Sequence, residues 1–355
     1  MSLPETVSSN SPVLKRRALW PWLLGASLLL ALGLFVARRL SPPGGQPILA
    51  GDSPPANASQ SAPLGDFTQA ETRRWRGVPH GTQVCDGVTF ICNGAIRTAG
   101  LQSARDDNRY PGAVLGVPVR GRGSRLHLLH AAENTSDMLD GEPYGRLVLH
   151  YANGETRKLE ILFGIHGDDW LQDSASRNEP VADPNSKLAW VHRRTGDGTT
   201  IRLYHTIWEN PLPGLDIAAI DVISPLAEAN LLLFGFSIND KPLNLAPSYG
   251  PGETLGDASS KPITFTLQDA AGNSVPDAKL TWTAQAPRSQ IDFPPFPADA
   301  QGEVTIDVPR ISIQAIQYRA SSPDGSSAAG VLKSDAAGSF PAKLVIKLAP
   351  KGSQG

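Results

Sequence analysis

All seven histidines of this 355-residue chain, His80, His127, His130, His150, His166, His192 and His205, fall within one stretch. Imidazoles gathered this way raise the question of a metal site or an acid–base centre, because neutral imidazole ligates metals and titrates near neutrality. Their spacing argues against it. His127 and His130 are three apart in the strand-like run Leu126-His127-Leu128-Leu129-His130-Ala131, and on a strand that spacing sends the two rings to opposite faces. His130 and His150 become neighbours only if their strands pair. The histidines therefore read as packed, hydrogen-bonded core residues, and no metal is assigned to them.

Carboxylates offer a second chemistry. Asp168-Asp169, Asp137 and Asp140 sit in predicted loops and are candidates for a structural Ca²⁺, which takes six or more oxygens from loops that meet in space. The alternative is solvated loop acids. The pairs Asp106-Asp107 and Glu133 with Asp137 have the two carboxylates that glycoside hydrolysis uses, but acidic pairs are common on any surface. The sequence contains no Gly-x-Ser-x-Gly elbow, no phosphate-binding Gly-x4-Gly-Lys loop, no His-Glu-x2-His and no dinucleotide glycine motif. No catalytic residue is assigned, and the chain reads as a non-enzyme. An envelope hydrolase with a His/carboxylate site is the runner-up from another class.

Aromatic residues offer a third. Tyr204 sits between apolar Leu203 and Ile207 and reads as core, whereas Trp170 and Trp208 border predicted loops. An indole there is either a flat platform for a ligand or a packing anchor with its N–H hydrogen-bonded. With Asp168, Asp169 and Asn210 close in sequence, Trp170 and Trp208 form the candidate ligand-binding set, suited to a glycan whose apolar ring face stacks on an indole while carboxylates and amides take its hydroxyls. Cys85 and Cys92, the only cysteines, suit a local disulfide in an oxidising compartment; free buried thiols, and redox or metal use, are the other readings.

The elements that must position these groups are strands. Ala113 to Val119, Leu126 to Ala131, Arg146 to Tyr151, Thr156 to Phe163, Leu188 to Arg193, Thr200 to Ile207, Ile217 to Ser224 and Ala229 to Phe236 are short runs rich in Val, Ile, Leu and Tyr, separated by turn signals. Asn153-Gly154 predicts the best hairpin, through a type I′ turn. After a Pro- and Gly-rich linker at 241–261, Ile263 to Leu267, Lys279 to Ala284, Glu303 to Val308, Ile311 to Tyr318 and Leu344 to Leu348 read as a second, smaller set. No amphipathic helix of three turns is evident among them. The expectation is an all-β protein, a sandwich or jelly roll over 66–240 and an immunoglobulin-like sandwich over 262–350.

Ahead of them, Ala18 to Ala37 carries no charge and is bracketed by Lys15-Arg16-Arg17 and Arg38-Arg39. At about 1.5 Å per residue its length matches a bilayer core of about 30 Å. This predicts a single transmembrane helix that anchors the chain in an inner membrane, with residues 1–17 a disordered cytoplasmic tail by the positive-inside rule. A cleaved signal peptide is the alternative. Residues 38–65, rich in Pro, read as an extended stalk. With 32 basic and 34 acidic side chains and no dominant basic face, nucleic acid is not an expected partner.

Two stretches resemble known modules. Val117-Pro118-Val119, Leu126 to Ala131, Leu147-Val148-Leu149-His150-Tyr151-Ala152-Asn153-Gly154-Glu155, Gly164-Ile165-His166-Gly167-Asp168-Asp169-Trp170 and Leu203 to Pro213 together resemble an envelope module of Planctomycetes and Verrucomicrobia that is similar to galactose-binding-like jelly rolls. Asp269 to Leu280, with its Gly-x-x-Val-Pro-x-Ala hairpin, and Asp299-Ala300-Gln301-Gly302 look like bacterial Ig-like and carboxypeptidase-regulatory-like modules. The resemblance implies a jelly-roll-like sandwich followed by a spacer or adhesive unit, and it transfers no catalytic residue. The function expected is a periplasmic, membrane-anchored binding or scaffolding protein that recognises a carbohydrate or another envelope protein; a purely structural spacer is the alternative.

Overall fold

The computed structural model describes residues 59–62, 64–67, 75–106, 110–173, 180–240, 260–309 and 313–351. The tail, the anchor at Ala18–Ala37, the stalk up to 58 and the linker up to 259 lie outside the described residues. Among the described residues no helix is long and apolar enough to cross a membrane. All the described residues belong to one compact unit.

In chain order the strands are β1 (Gln60–Ser61), β2 (Gly81–Cys85), β3 (Val88–Cys92), β4 (Ile96–Arg97), β5 (Ala113–Gly121), β6 (Arg125–Glu133), β7 (Pro143–Tyr151), β8 (Thr156–Leu162), β9 (Leu171–Gln172), β10 (Ser186–Arg193), β11 (Thr200–Glu209), β12 (Ile217–Ile223) and β13 (Asn230–Asn239). The second set is β14 (Lys261–Gln268), β15 (Lys279–Ala286), β16 (Ser289–Pro297), β17 (Glu303–Val308), β18 (Ala315–Ser321), β19 (Ser327–Lys333) and β20 (Lys343–Lys347). Among the described residues the α-helix Leu101–Arg105 lasts little more than a turn, and Leu64–Phe67 is a 3-10 turn. The all-β expectation holds.

The first sandwich sets a sheet of order β1-β13-β6-β11-β10, with β4 added on β13 and β9 on β11, against a sheet of order β5-β12-β7-β8. Leu126, Leu128, Leu233 and Phe236 meet Val117, Leu147, Leu149 and Ile220 between the sheets, all fully buried. The hairpin β2–β3 packs on the outer side of the larger sheet, where Phe90 and Val88 meet Leu129, Leu203 and Phe234. Strand β13 is consequently buried along its whole length. This is why Leu231-Leu232-Leu233-Phe234 reads as a continuous apolar run instead of alternating.

That hairpin corrects the disulfide expectation. In its register Cys85 faces Val88 beside the turn and Cys92 faces Gly81 at the far end. Four steps of roughly 3.3 Å separate them along the ladder, beyond the Cα separation of roughly 4–7 Å that a disulfide bridges. Both cysteines are free and buried, and burial pushes the Cys92 thiol up to about 12. In a thiol titration of unreduced protein we expect both sulfurs to react once the chain is unfolded and neither to react rapidly in the native state. Fewer than two thiols in denaturant would contradict this geometry.

The hairpin β7–β8 forms where Asn153-Gly154 placed it, by a different turn. The loop has three residues: the Gly154 amide donates to the Tyr151 carbonyl at 2.9 Å and Tyr151 N–H donates to the Glu155 carbonyl at 2.9 Å. Gly154 has φ +88° while Asn153 is not among the positive-φ residues, so this is a turn closed by a left-handed glycine and not the two-residue type I′ form.

The second sandwich stacks β17-β14-β20 on β16-β15-β18-β19, with β14 and β20 parallel. The Asp-Ala-x-Gly element is the turn expected: Asp299 Oδ1 accepts from the amides of Gln301 at 2.9 Å and Glu303 at 2.8 Å, the local bonding that makes Asp a turn residue. Strands β16 and β19 were not legible in the sequence. Pro294, Pro295 and Pro297 argue against a strand, and proline is tolerated here because β16 is an edge. The two sandwiches share packing. Ala99, Leu101, Ala113 and Leu226 from the first belong to the same buried cluster as Phe265, Trp282 and Phe293 of the second, and the Gly112 amide donates to the Asp292 carbonyl at 2.7 Å.

Candidate functional site

Strand alternation divides the histidines as expected. His127 lies on the hairpin side of β6: its Nδ1 is 3.1 Å from His205 Nε2 and its Nε2 is 3.0 Å from Asn239 Oδ1. His205 in turn places Nδ1 2.9 Å from Asp86 Oδ2, in the β2–β3 turn, where Lys187 also pairs with Asp86 at 2.8 Å. His130 points the other way, between the sheets. Its Nδ1 takes the Tyr144 hydroxyl at 2.7 Å and its Nε2 meets Thr206 Oγ1 at 2.8 Å. Thr206 donates to the His166 carbonyl at 3.0 Å and lies 2.9 Å from Ser186 Oγ, which bonds Asp183 Oδ2 at 3.0 Å.

These groups are closed off from solvent. His127, His130, His166 and His205 are 0% exposed. Burial lowers the His130 pKa to about 3 and the His166 pKa to about 4, so both rings are neutral where the fold is stable. His166 Nδ1 accepts the Leu162 amide at 3.0 Å, which fixes its proton on Nε2, 3.9 Å from Asp183 Oδ2. Burial also raises the carboxyl pKa of Asp183. Ser186, Asp183 and His130 resemble parts of a nucleophilic centre, but Ser186 is buried, at 6% exposed. The arrangement is a buried, hydrogen-bonded polar network between the sheets in which His166 Nε2 is left without a hydrogen-bond partner. His130 and His150 stay in different sheets, and His150 instead faces Asp221 at 2.7 Å, which raises its pKa. Among the described residues no group of three or more His, Cys, Asp or Glu side chains is placed to hold a metal ion.

The candidate ligand residues separate. Trp208 is 1% exposed and lies edge-on to His166, ring centroids 5.3 Å apart; its position in β11, paired to Leu126, makes it interior. Asn210 is 4% exposed and fully engaged: its Oδ1 accepts from Tyr151 at 2.5 Å and the Leu212 amide at 3.1 Å, while Nδ2 donates to the Gly123 carbonyl at 2.7 Å. Neither can serve a ligand, which corrects that part of the expectation.

Trp170, Asp168 and Asp169 remain together. The Trp170 amide donates to the Ala132 carbonyl at 2.8 Å and its carbonyl accepts the Arg202 amide at 2.8 Å, so the backbone is clamped between β6 and β11 while the side chain is only partly buried. On one side lies a groove of about 630 Å³ with Glu133, Asn134, Thr135, Ser136, Asp168 and Asp169 in its walls. Thr135 donates to Asp169 Oδ2 at 2.6 Å, and burial raises the pKa of Asp169. On the other side is a second groove of about 420 Å³, where Trp170 meets Trp75, Arg76, His192 and Arg194. The Trp75 and Trp170 ring centroids are 5.2 Å apart. The sequence reading did not join Trp75, Arg76, His192 and Arg194 to Trp170, because Trp75 is nearly a hundred positions from Trp170 and no local pattern links them.

No family model matches the chain, and no curated protein matches it. Solved structures give only remote similarity. A catechol 1,2-dioxygenase from Acinetobacter sp. ADP1 is 12% identical over 27% of this chain and 45% of its own, with a TM-score of 0.18. The pilus adhesin RrgA from Streptococcus pneumoniae is 12% identical over 65% of this chain and 32% of its own, at 0.21. The Bacillus anthracis TIE protein is 10% identical over 65% and 35%, at 0.17. The chain thus spans less than half the length of each, and overlaps at this level carry no argument about fold or function.

Proposed function

We propose that this chain is a membrane-anchored, non-catalytic binding or scaffolding protein whose first sandwich recognises carbohydrate at the Trp170 face. One observation carries the reading: a backbone-clamped, partly buried indole stands between two polar grooves. Rigid aromatic surface costs little ordering on binding, and nearby carboxylates supply acceptors for hydroxyls. In this proposal Asp169 stays in the site with Trp170, whereas Asp168, 5% exposed and accepting the Asp169 amide at 2.6 Å, belongs with Trp208 and Asn210 to the frame that holds it. The anchor at Ala18–Ala37 would fix the chain in a bacterial inner membrane with both sandwiches periplasmic. The first sandwich is then the jelly-roll-like envelope module, and the second the Ig-like or carboxypeptidase-regulatory-like spacer.

The test is a glycan array followed by calorimetry on the full chain in detergent. Trp170→Ala is expected to weaken saccharide binding by at least about tenfold, the loss typical of an aromatic hot spot, with a loss of stability well short of that from Trp208→Ala because the side chain is only partly buried. Trp208→Ala is expected instead to cost stability, about 3–5 kcal/mol for a buried Trp. Absence of any saccharide binding by the wild-type chain sinks the proposal. A protein-partner reading has its own support in edge strand β10, where Leu188 and Val191 are 48% and 58% exposed; apolar edges are templates for strand pairing. A membrane pull-down that is lost in a Val191→Lys variant would favour it.

A further inference from the structure

The two grooves beside Trp170 differ in chemistry, and the difference bears on what sugar would bind. The larger has carboxylates in its wall. The smaller is formed by Trp75, Arg76, Trp170, His192, Arg194, Thr195 and Ile201, a set with two fixed cations and no carboxylate. Its floor is rigid. The Trp190 indole N–H donates to the Gly77 carbonyl at 2.7 Å. Gly77, at φ +92°, packs so close to the His192 ring that a Cβ there would lie 2.2 Å from it. The segment carrying Trp75 and Arg76 is thereby pinned to β10, and Trp75 is held against Trp170 and Phe234. Arg76, His192 and Arg194 project from this floor as exposed side chains. The ion pair of Arg194 with Asp197, at 3.2 Å, is itself exposed, and such pairs exchange readily for another anion.

A neutral sugar presents hydroxyl donors and needs acceptors, whereas guanidinium groups only donate. Their forked N–H groups suit a carboxylate, which they bind bidentately. The volume of about 420 Å³ falls in the range of small-ligand sites, about 300–1,000 Å³. We infer that the groove formed by Trp75, Arg76, Trp170, His192 and Arg194 binds a carboxylated sugar residue, a uronate, of an acidic polysaccharide. This deepens the carbohydrate reading above and rests on it. The sugar ring stacks along the tryptophan pair while its carboxylate meets Arg76 and Arg194.

The experiment is calorimetry on the full chain with oligogalacturonate, oligoalginate and hyaluronan fragments, each beside its methyl-esterified counterpart, together with neutral oligosaccharides and a DNA duplex. At least one uronate series is expected to bind, to lose at least about tenfold on esterification, and to weaken as salt rises. The double variant Arg76→Ala/Arg194→Ala is expected to lose the same factor while keeping the wild-type denaturant midpoint, since both side chains are exposed. Equal binding of acid and ester would overturn the uronate inference and leave the carbohydrate reading standing. Binding of no saccharide at all would remove both. Uronate binding that survives in the double variant would show that the groove is not the site. Equally tight binding of the duplex would replace the inference with nonspecific polyanion attraction.

Discussion

Acidification from pH 6.5 to 4 is expected to destabilise this protein steeply, before most carboxylates titrate. His130 and His166 are buried neutral, with pKa values near 3 and 4, whereas an unfolded histidine titrates near 6.5. Between those values the unfolded chain binds two protons that the folded chain refuses. Stability therefore falls with pH, by up to about 1.4 kcal/mol per unit for each ring. Over about two and a half units the pair would remove an amount comparable to a domain's whole stability of about 5–15 kcal/mol. His205, also lowered by burial, acts in the same direction. His150 opposes it: its pKa is raised by Asp221, so its stabilisation is complete below the unfolded value and fades as pH rises through the folded one. It is half-buried, so the opposition is small. The raised carboxyls of Asp169 and Asp183 also oppose, gaining protons in the folded state first, though only towards the lower end of the window. Denaturant midpoints measured between pH 7.5 and 4 should show the slope, and a His130→Gln variant should flatten it. A midpoint that is level from pH 7 to 4.5 would mean that these rings do not stay neutral.

Removing Arg146 is the second large effect. Its side chain is 5% exposed and it joins the two sandwiches: Nη2 lies 2.6 Å from Glu160 Oε1 and 3.2 Å from Ser260 Oγ, and Nη1 lies 3.4 Å from Asp307 Oδ2 in β17. Glu160 and Asp307 are each 14% exposed, so deleting the cation strands a carboxylate away from water. Asp307 keeps Lys158 at 2.5 Å; Glu160 keeps nothing comparable among the described ion pairs. Breaking a buried pair from one side costs about 3–5 kcal/mol. For Arg146→Ala that corresponds to a fall in Tm of roughly 5–15 °C for a unit of this size. The double change Arg146→Met/Glu160→Gln should recover much of the loss, since neutralising both partners leaves no stranded charge. A shift below about 0.5 kcal/mol in the single variant would show that the pair is solvated in solution.

Both effects rest on contacts that join residues far apart in sequence. The strand ladder was legible because its causes are local. Period-two alternation in Ile263 to Leu267, β-branched content in Ile217 to Ser224 and turn chemistry at Asn153-Gly154 and Asp299 each act over a few residues. The opposite facing of His127 and His130 was legible for the same reason, since the strand repeat alone dictates it. Where the local signal was weak, the strands were missed. β16 carries three prolines that only an edge tolerates, and β19 opens on Ser-Ala-Ala-Gly, whose place in the sheet is set by pairing with β18.

The sequence by itself determined that the described residues are built of β-strands, which residues alternate along them, and that His127 and His130 take opposite faces. The tertiary structure decided which loop-border aromatics are inside. Trp170 and Trp208 look alike in sequence, but β11 pairs with β6 and seats Trp208 between the sheets, while Trp170 is clamped at the rim. It also separated Cys85 from Cys92 by fixing the hairpin register, and it brought Trp75 and Arg76 to Trp170 and Arg194. The reason is the same each time: a strand's repeat says which face a side chain takes, and only the pairing of strands says what that face meets.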